Sequence, residues 1–417
     1  MSAPIPVPSP LPQELLDAII DEVQYDFSTL ISLNNASRCC ARARIYLYRA
    51  IDLREPSRAM QFFHLCATNN QIKSCVRSIY IETWTVVDYT EFHHILEDLT
   101  EVRDLTISGE YECIPPGLRG VFMSYNLSTL TLQEMEFDYA DLQTFVKPYP
   151  NLRWFRAYDV SLSEEEQVAP NAAETGLRSL ESLSLSQTDF FTKAVKRTDH
   201  GIPFILANIR RLFLRDTMDN LNDLQRVLNV VHQPLKELYL SEPSILFGGA
   251  DVPTLDLTKI STLTLEVAVA DGPGAIQWLI YHFSSRPLDK VCTTEINFVL
   301  TVTEEWHDEM NHDPVQADFR RRQFQAAWDA LEVLLIVHPM PTVEGVRIIM
   351  SNQYNMRKSD FIVIARALSE AWLQSPLRRL ANAGRTLIKV GVIFREVEKQ
   401  PIVPRSDGTY AWEESLA

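Results

Sequence analysis

An α/β chain, in which three short N-terminal helices precede a parallel strand-and-helix repeat, is what two observations in this sequence predict. The first is an apolar pattern, L-x-x-L-x-L, that returns eight times. Its members are Val76-Ile79-Ile81, Val102-Leu105-Ile107, Leu127-Leu130-Leu132, Leu152-Phe155-Ala157, Leu180-Leu183-Leu185, Ile209-Leu212-Leu214, Leu235-Leu238-Leu240 and Ile260-Leu263-Leu265, with last positions 26, 25, 25, 28, 29, 26 and 25 residues apart. The second is the helical spacing of apolar residues in Tyr89 to Leu99, Tyr139 to Lys147, Leu221 to Val231 and Ala275 to Phe283, between those strands. One strand and one helix per unit, all strands running the same way, predict a curved parallel sheet with helices outside it. A unit of this size leaves its apolar face open until a neighbour covers it, so the array folds as a stack.

The order of elements follows from the same reading. Residues 1–10 are a proline-rich tail in which alternate prolines forbid a helix. In residues 11–53, Pro12 sits where a first helical residue needs no N–H, and Leu15, Leu16, Ile19, Ile20 and Val23 form a stripe at helical spacing. Asp26 and Ser28 are placed to cap the next helix. Three helices in some forty residues enclose little core, and such a unit is marginal unless it packs on another surface.

Residues 54–399 hold the repeat. After Leu265 the spacing lengthens to further strands at Ile296-Phe298, Val346-Ile348 and Val390-Val392. The added length is helix. Asp313 and Pro314 start one, with an apolar stripe of Phe324, Trp328, Leu331 and Leu335 and a stop at Pro339; Ser359 opens another, through Phe361, Ile364, Leu368 and Trp372, that ends at Pro376. Residues 400–417 are a polar tail.

With 39 basic and 55 acidic residues the net charge is −16, which disfavours nucleic acid and anionic lipid as partners. The six cysteines, Cys39, Cys40, Cys66, Cys75, Cys113 and Cys292, contain no C-x-x-C and point to free thiols in a reducing cytosol or nucleus. No run of 18 apolar residues exists to span a membrane, and the N-terminus lacks the charged and apolar regions of a secretory signal. The sequons at Asn35 and Asn126 are then chance matches.

Enzyme motifs are missing: there is no phosphate loop, no G-x-S-x-G elbow, no H-E-x-x-H and no G-x-G-x-x-G. The one segment with metal-ligand chemistry is Glu304, Glu305, His307, Asp308, Glu309, His312 and Asp313. Its residues fit no single face, so it reads as an acidic connector in which Asp313 caps the following helix. His93-His94 and Glu164 to Glu166 read as solvated surface. No cofactor or catalytic residue is expected.

On a strand of pattern x-L-x-L-x the leucines point to the helices and the x residues to the open face. That assigns Ser78, Tyr80 and Glu82, Trp154, Arg156 and Tyr158, Arg211, Phe213 and Arg215, and Glu237, Tyr239 and Ser241 to the exposed side. Trp, Tyr and Arg most often anchor protein interfaces. A partner-binding patch is therefore expected at Trp154, Arg156, Tyr158, Arg211, Phe213, Arg215 and Tyr239.

Within residues 11–53, Leu11, Pro12, Glu14, Leu15, Leu16, Ile19, Ile20, Val23, Leu30, Arg38, Arg42, Tyr46, Leu47 and Ile51 follow the order LPxELLxxII, a break, a second helix and an Arg-rich third. This resembles the F-box, and the whole chain is similar to divergent F-box-like proteins of mushroom-type (basidiomycete) fungi, in which an irregular leucine-rich-repeat-like solenoid follows the box. The asparagine ladder of the standard repeat is missing. Where such proteins usually carry a Trp in the third helix, this chain has Cys40, which removes a large apolar anchor.

The resemblance implies a non-catalytic substrate-recognition subunit of an SCF-type (cullin-RING) ubiquitin ligase. Its box would dock on a Skp-type adaptor through Leu11, Pro12, Leu15, Ile19 and Ile20, and its repeats would select a target protein. Two other readings stay open: an adaptor-independent scaffold whose box packs on its own repeats, and a metal-dependent enzyme using the 304–313 segment.

Overall fold

The computed structural model describes residues 12–24, 26–35, 40–83, 93–110, 113–163, 179–186, 208–215, 221–241, 255–269, 272–284, 292–302, 313–337, 343–352 and 387–393. They form an α/β structure of parallel strands and helices, divided into two compact units, Met1–Leu180 and Glu181–Ala417. The division falls inside the repeat, not at the end of the N-terminal helices.

In the first unit, helices α1 (Gln13–Glu22), α2 (Phe27–Asn34) and α3 (Cys40–Leu47) come first. Strand β1 (Ala50–Asp52) and helix α4 (Pro56–Thr68) follow, then strands β2 (Ser78–Glu82), β3 (Asp104–Ser108), β4 (Thr129–Phe137) and β5 (Trp154–Leu162). Consecutive strands pair in parallel, with Ile79, Leu105, Leu130 and Phe155 in one register row and Ile81, Ile107, Leu132 and Ala157 in another. Every one of these eight side chains is at most 1% exposed. At about 1.5–3 kcal/mol for each large apolar side chain removed from water, these rows are a substantial source of cohesion.

β1 lies within the stretch expected to be helical box, and Ile51 pairs with Ile79. The sheet thus begins one strand earlier than the L-x-x-L-x-L pattern indicates, because a three-residue strand is too short to show a period. Prolines open the helices Pro56–Thr68, Pro116–Met123 and Pro314–Val337, where a missing N–H costs nothing.

The missing asparagine ladder has a main-chain counterpart. Before each strand one carbonyl accepts two successive N–H groups of the following repeat: Arg49 from Arg77 and Ser78 (2.8 and 2.9 Å), Arg77 from Arg103 and Asp104, Arg103 from Ser128 and Thr129, and Ser128 from Arg153 and Trp154. No particular side chain is needed to satisfy these turns, which is how the repeat tolerates irregular sequence.

The second unit holds β6 (Ser182–Ser186), β7 (Arg211–Arg215), β8 (Leu235–Leu240), β9 (Ile260–Ala268), β10 (Glu295–Val302), β11 (Gly345–Asn352) and β12 (Leu387–Ile393). They too pair in parallel and in sequence order. Leu185, Leu214, Leu240, Leu265, Phe298 and Ile348 make an inward row, and Phe298 meets Trp328 of the Pro314–Val337 helix edge-on, with ring centroids 4.9 Å apart. The helix expected from Ser359 lies outside the described residues. Among the described residues no helix is long and apolar enough to cross a membrane.

Candidate docking surfaces

The three N-terminal helices enclose a core of their own. Ile20, Leu30, Ala43 and Leu47 are buried, with Leu16, Val23, Leu33, Tyr46 and Tyr48 packed partly against them. Local chemistry explains the entry to α2: the Asp26 carboxylate accepts from the Thr29 N–H at 3.0 Å and from the Ser28 and Thr29 hydroxyls at 2.8 and 2.6 Å. Those donors lower the Asp26 pKa to about 2, the Thr29 hydroxyl contributing most.

A polar clamp joins the first and third helices. Arg42 donates from Nε and Nη2 to the two oxygens of Asp21 at 2.8 and 2.9 Å, and the Tyr46 hydroxyl donates to Asp21 Oδ1 at 2.7 Å. The Arg42 guanidinium lies 5.6 Å from the Tyr46 ring centroid. Hydrogen bonds from Arg42 first, and then Tyr46, hold the Asp21 carboxyl below its ordinary range.

This small core leaves apolar side chains outside it. Leu15 is 52% and Ile19 49% exposed, one turn apart on α1, and Ile31 and Ile45 are exposed on α2 and α3. Among the first unit's side chains whose burial is described, these four are the only exposed large apolar ones. Of the expected adaptor-contacting residues, Pro12, Leu15 and Ile19 are therefore on the surface. Ile20 is a correction: it is fully buried against Leu30, Ala43 and Leu47, because it belongs to the inward stripe one residue round the helix. Leu11 lies outside the described residues, as does the side chain of Cys40.

The strand faces depart further from expectation. The register is as read, leucines toward the helices, and the opposite face is partly exposed, with some of its residues buried. In the first unit Trp154 and Tyr158 are half-buried and Arg156 is buried. Asp52, Tyr80, Thr106, Thr131 and Arg156 share a row. Arg54 pairs with Asp52 at 2.6 Å and lays its guanidinium 4.2 Å from the Tyr80 ring centroid, and the Tyr80 hydroxyl donates to Gln133 Oε1. Beside them, burial raises the Glu82 carboxyl, an effect Arg54 opposes and Glu110, Asp52 and Glu134 reinforce.

In the second unit Phe213, Tyr239, Thr264, Asn297 and Arg347 share a row, followed by Glu266, Val299 and Ile349. Tyr239, Val299 and Ile349 form a second apolar cluster with Phe213 packed against it, separate from the leucine rows. The Tyr239 hydroxyl donates to Glu266 Oε2, and Thr301 donates to Glu266 Oε1 at 2.9 Å. Tyr239 is 4% and Glu266 1% exposed, so Tyr239 is corrected from surface anchor to enclosed residue. Arg211, Phe213 and Arg215 are half-buried. The expected patch thus falls as three residues on one unit and four on the other.

The metal reading falls on residues 304–312, which lie outside the described residues; among the described residues no cluster of His, Cys, Asp and Glu could hold an ion. Asp313 caps its helix as expected, accepting from the Val315 and Gln316 N–H groups at 3.0 Å. His93 is not solvated surface; its ring is half-buried over Gly117, where an added Cβ would stand 3.1 Å from it. Residues 164–166 lie outside the described residues.

Two features escaped the sequence. Arg42 and Tyr46 stand four apart on one helix face, a spacing that invites a shared partner, but nothing marks Asp21 as that partner. Glu266 sits at a polar-face position like its neighbours and carries no signal of burial. No protein-family model matches the chain, and no curated protein matches it significantly.

Proposed function

We propose that this protein is the non-catalytic substrate-recognition subunit of an SCF-type ubiquitin ligase, with α1–α3 acting as an F-box that docks on a Skp-type adaptor and the strand-and-helix repeat binding the target. The observation that carries the reading is the concentration of exposed apolar side chains. In the first unit all those described lie on three helices that already possess a closed core. Leu15 and Ile19 are each about half exposed, so burying the remainder of both on a partner would contribute about 1.5–3 kcal/mol in all before the cost of association. The chain would act in the cytosol or nucleus, through the adaptor and a cullin, and without a cofactor.

Target recognition is assigned to the half-buried aromatic and Arg side chains of the strand faces, Trp154 and Tyr158 in one unit and Arg211, Phe213 and Arg215 in the other. These are the residue types that anchor interfaces without full exposure beforehand. Alanine at Trp154 and Arg211 would abolish target capture while leaving adaptor capture intact.

A second reading is that the helices serve an adaptor-independent scaffold. It is favoured by the direct run from α3 into the sheet, where the Arg49 carbonyl accepts from Arg77 and Ser78. A pull-down of the full chain with a Skp-type adaptor separates the two. The proposal expects capture that Leu15→Ala/Ile19→Ala removes, whereas the scaffold expects none from the wild type.

A further inference from the structure

We infer that the Asp21–Arg42–Tyr46 clamp selects which of two apolar stripes on α1 faces outward, making these three side chains positioning residues for docking. For its docking consequence this rests on the adaptor reading above; for its effect on α1 it does not.

Helix α1 carries two apolar stripes one residue apart, Leu15 with Ile19 and Leu16 with Ile20 and Val23. Successive residues on a helix are about 100° apart, so a rotation of that size exchanges the stripe turned to the core. Hydrophobic burial is non-directional, and the two stripes differ by one partly buried valine. The α3 side of the seam includes Ala43, a side chain too small to key the rotation by shape. Apolar packing alone therefore distinguishes the two settings weakly.

The clamp distinguishes them by direction. A guanidinium fork on both oxygens of a carboxylate fixes direction as well as distance. The Tyr46 hydroxyl adds a third constraint from the next turn of α3. Turning α1 by about 100° would displace residue 21 by more than about 3 Å even at the Cα radius of about 2.3 Å, beyond any hydrogen bond's tolerance. Asp21 and Arg42 are each about two-fifths exposed, at 41% and 39%, so the pair adds little net stability. Its role is orientation: with the clamp closed, Ile20 is inside and Leu15 and Ile19 are presented.

The test uses the full chain with Leu15→Cys or Leu16→Cys, alkylated under native conditions and read peptide by peptide in a mass spectrometer. With the clamp intact, position 15 is expected to react at least about fivefold faster than position 16, and Asp21→Asn to bring the two within about twofold. Arg42→Lys keeps the charge and loses the fork, so it should shift the ratio as Asp21→Asn does, whereas a purely electrostatic role would leave it unmoved. The exchange Asp21→Arg/Arg42→Asp should restore the ratio. Far-UV circular dichroism verifies folding, and if Asp21→Asn unfolds, Arg42→Lys decides.

An unchanged ratio in folded Arg42→Lys overturns the inference. Adaptor capture is scored in parallel: a wild type that captures no adaptor removes the docking reading, while the labelling ratio still decides the clamp.

Discussion

The N-terminal helices and the strand repeat solve the problem of burial in opposite ways. In the strands of the first unit, each apolar side chain of a register row lies beside its counterpart on the next strand, so the apolar surface of these rows is consumed internally, as Ile79, Leu105, Leu130 and Phe155 illustrate. The helices have no further copy of themselves to stack on. They close a core around Ile20 and Leu30 and leave Leu15, Ile19, Ile31 and Ile45 in water. A repeat can be stable without a partner; a three-helix unit with its apolar arc half used keeps apolar surface that a partner could cover.

Truncation should expose that difference. Phe155→Ala removes a side chain from the middle of a row and should destabilise the first unit by about 3–5 kcal/mol in denaturant unfolding. Ile20→Ala should cost about 2–4 kcal/mol, seen as lost amide protection in residues 13–47 with the strands still protected. If both changes unfolded all strands together, the two regions would be one cooperative block and the contrast would fail. Leu15→Ala should alter stability by less than about 0.5 kcal/mol, since a surface position has little to lose.

Acid should separate the regions too. The Asp26 cap has a folded pKa near 2, below its ordinary 3.8, so its contribution to α2 is present above about pH 4 and fades as pH falls toward 2. Amide exchange in residues 27–34 should therefore accelerate over that window before exchange in β3 and β4 does. The thiols give the smallest effect. Burial pushes Cys66 on α4 up to about 11, so it should alkylate only on unfolding, after exposed Cys113 and Cys292.

The repeat was readable from sequence because its signal is redundant: eight copies of one apolar pattern fix strand positions, direction and which side chains meet the helices. Strand β1 was not, since three residues carry no period. The burial of Arg156, Tyr239 and Glu266 was not, since alternation tells which face a residue occupies but not whether that face is covered. In the helices the apolar arc was legible, whereas its division between Ile20 inside and Ile19 outside depends on where Asp21 finds Arg42 and Tyr46. That is a tertiary contact between residues 21 and 25 positions apart.

The most direct measurement compares adaptor capture and stability in the same two proteins. Wild type and Leu15→Ala/Ile19→Ala, both full-length, are titrated with a purified Skp-type adaptor and unfolded in denaturant. Nearly equal unfolding midpoints with adaptor binding lost in the variant are the predicted result. Equal binding by both proteins, or none by either, would contradict it.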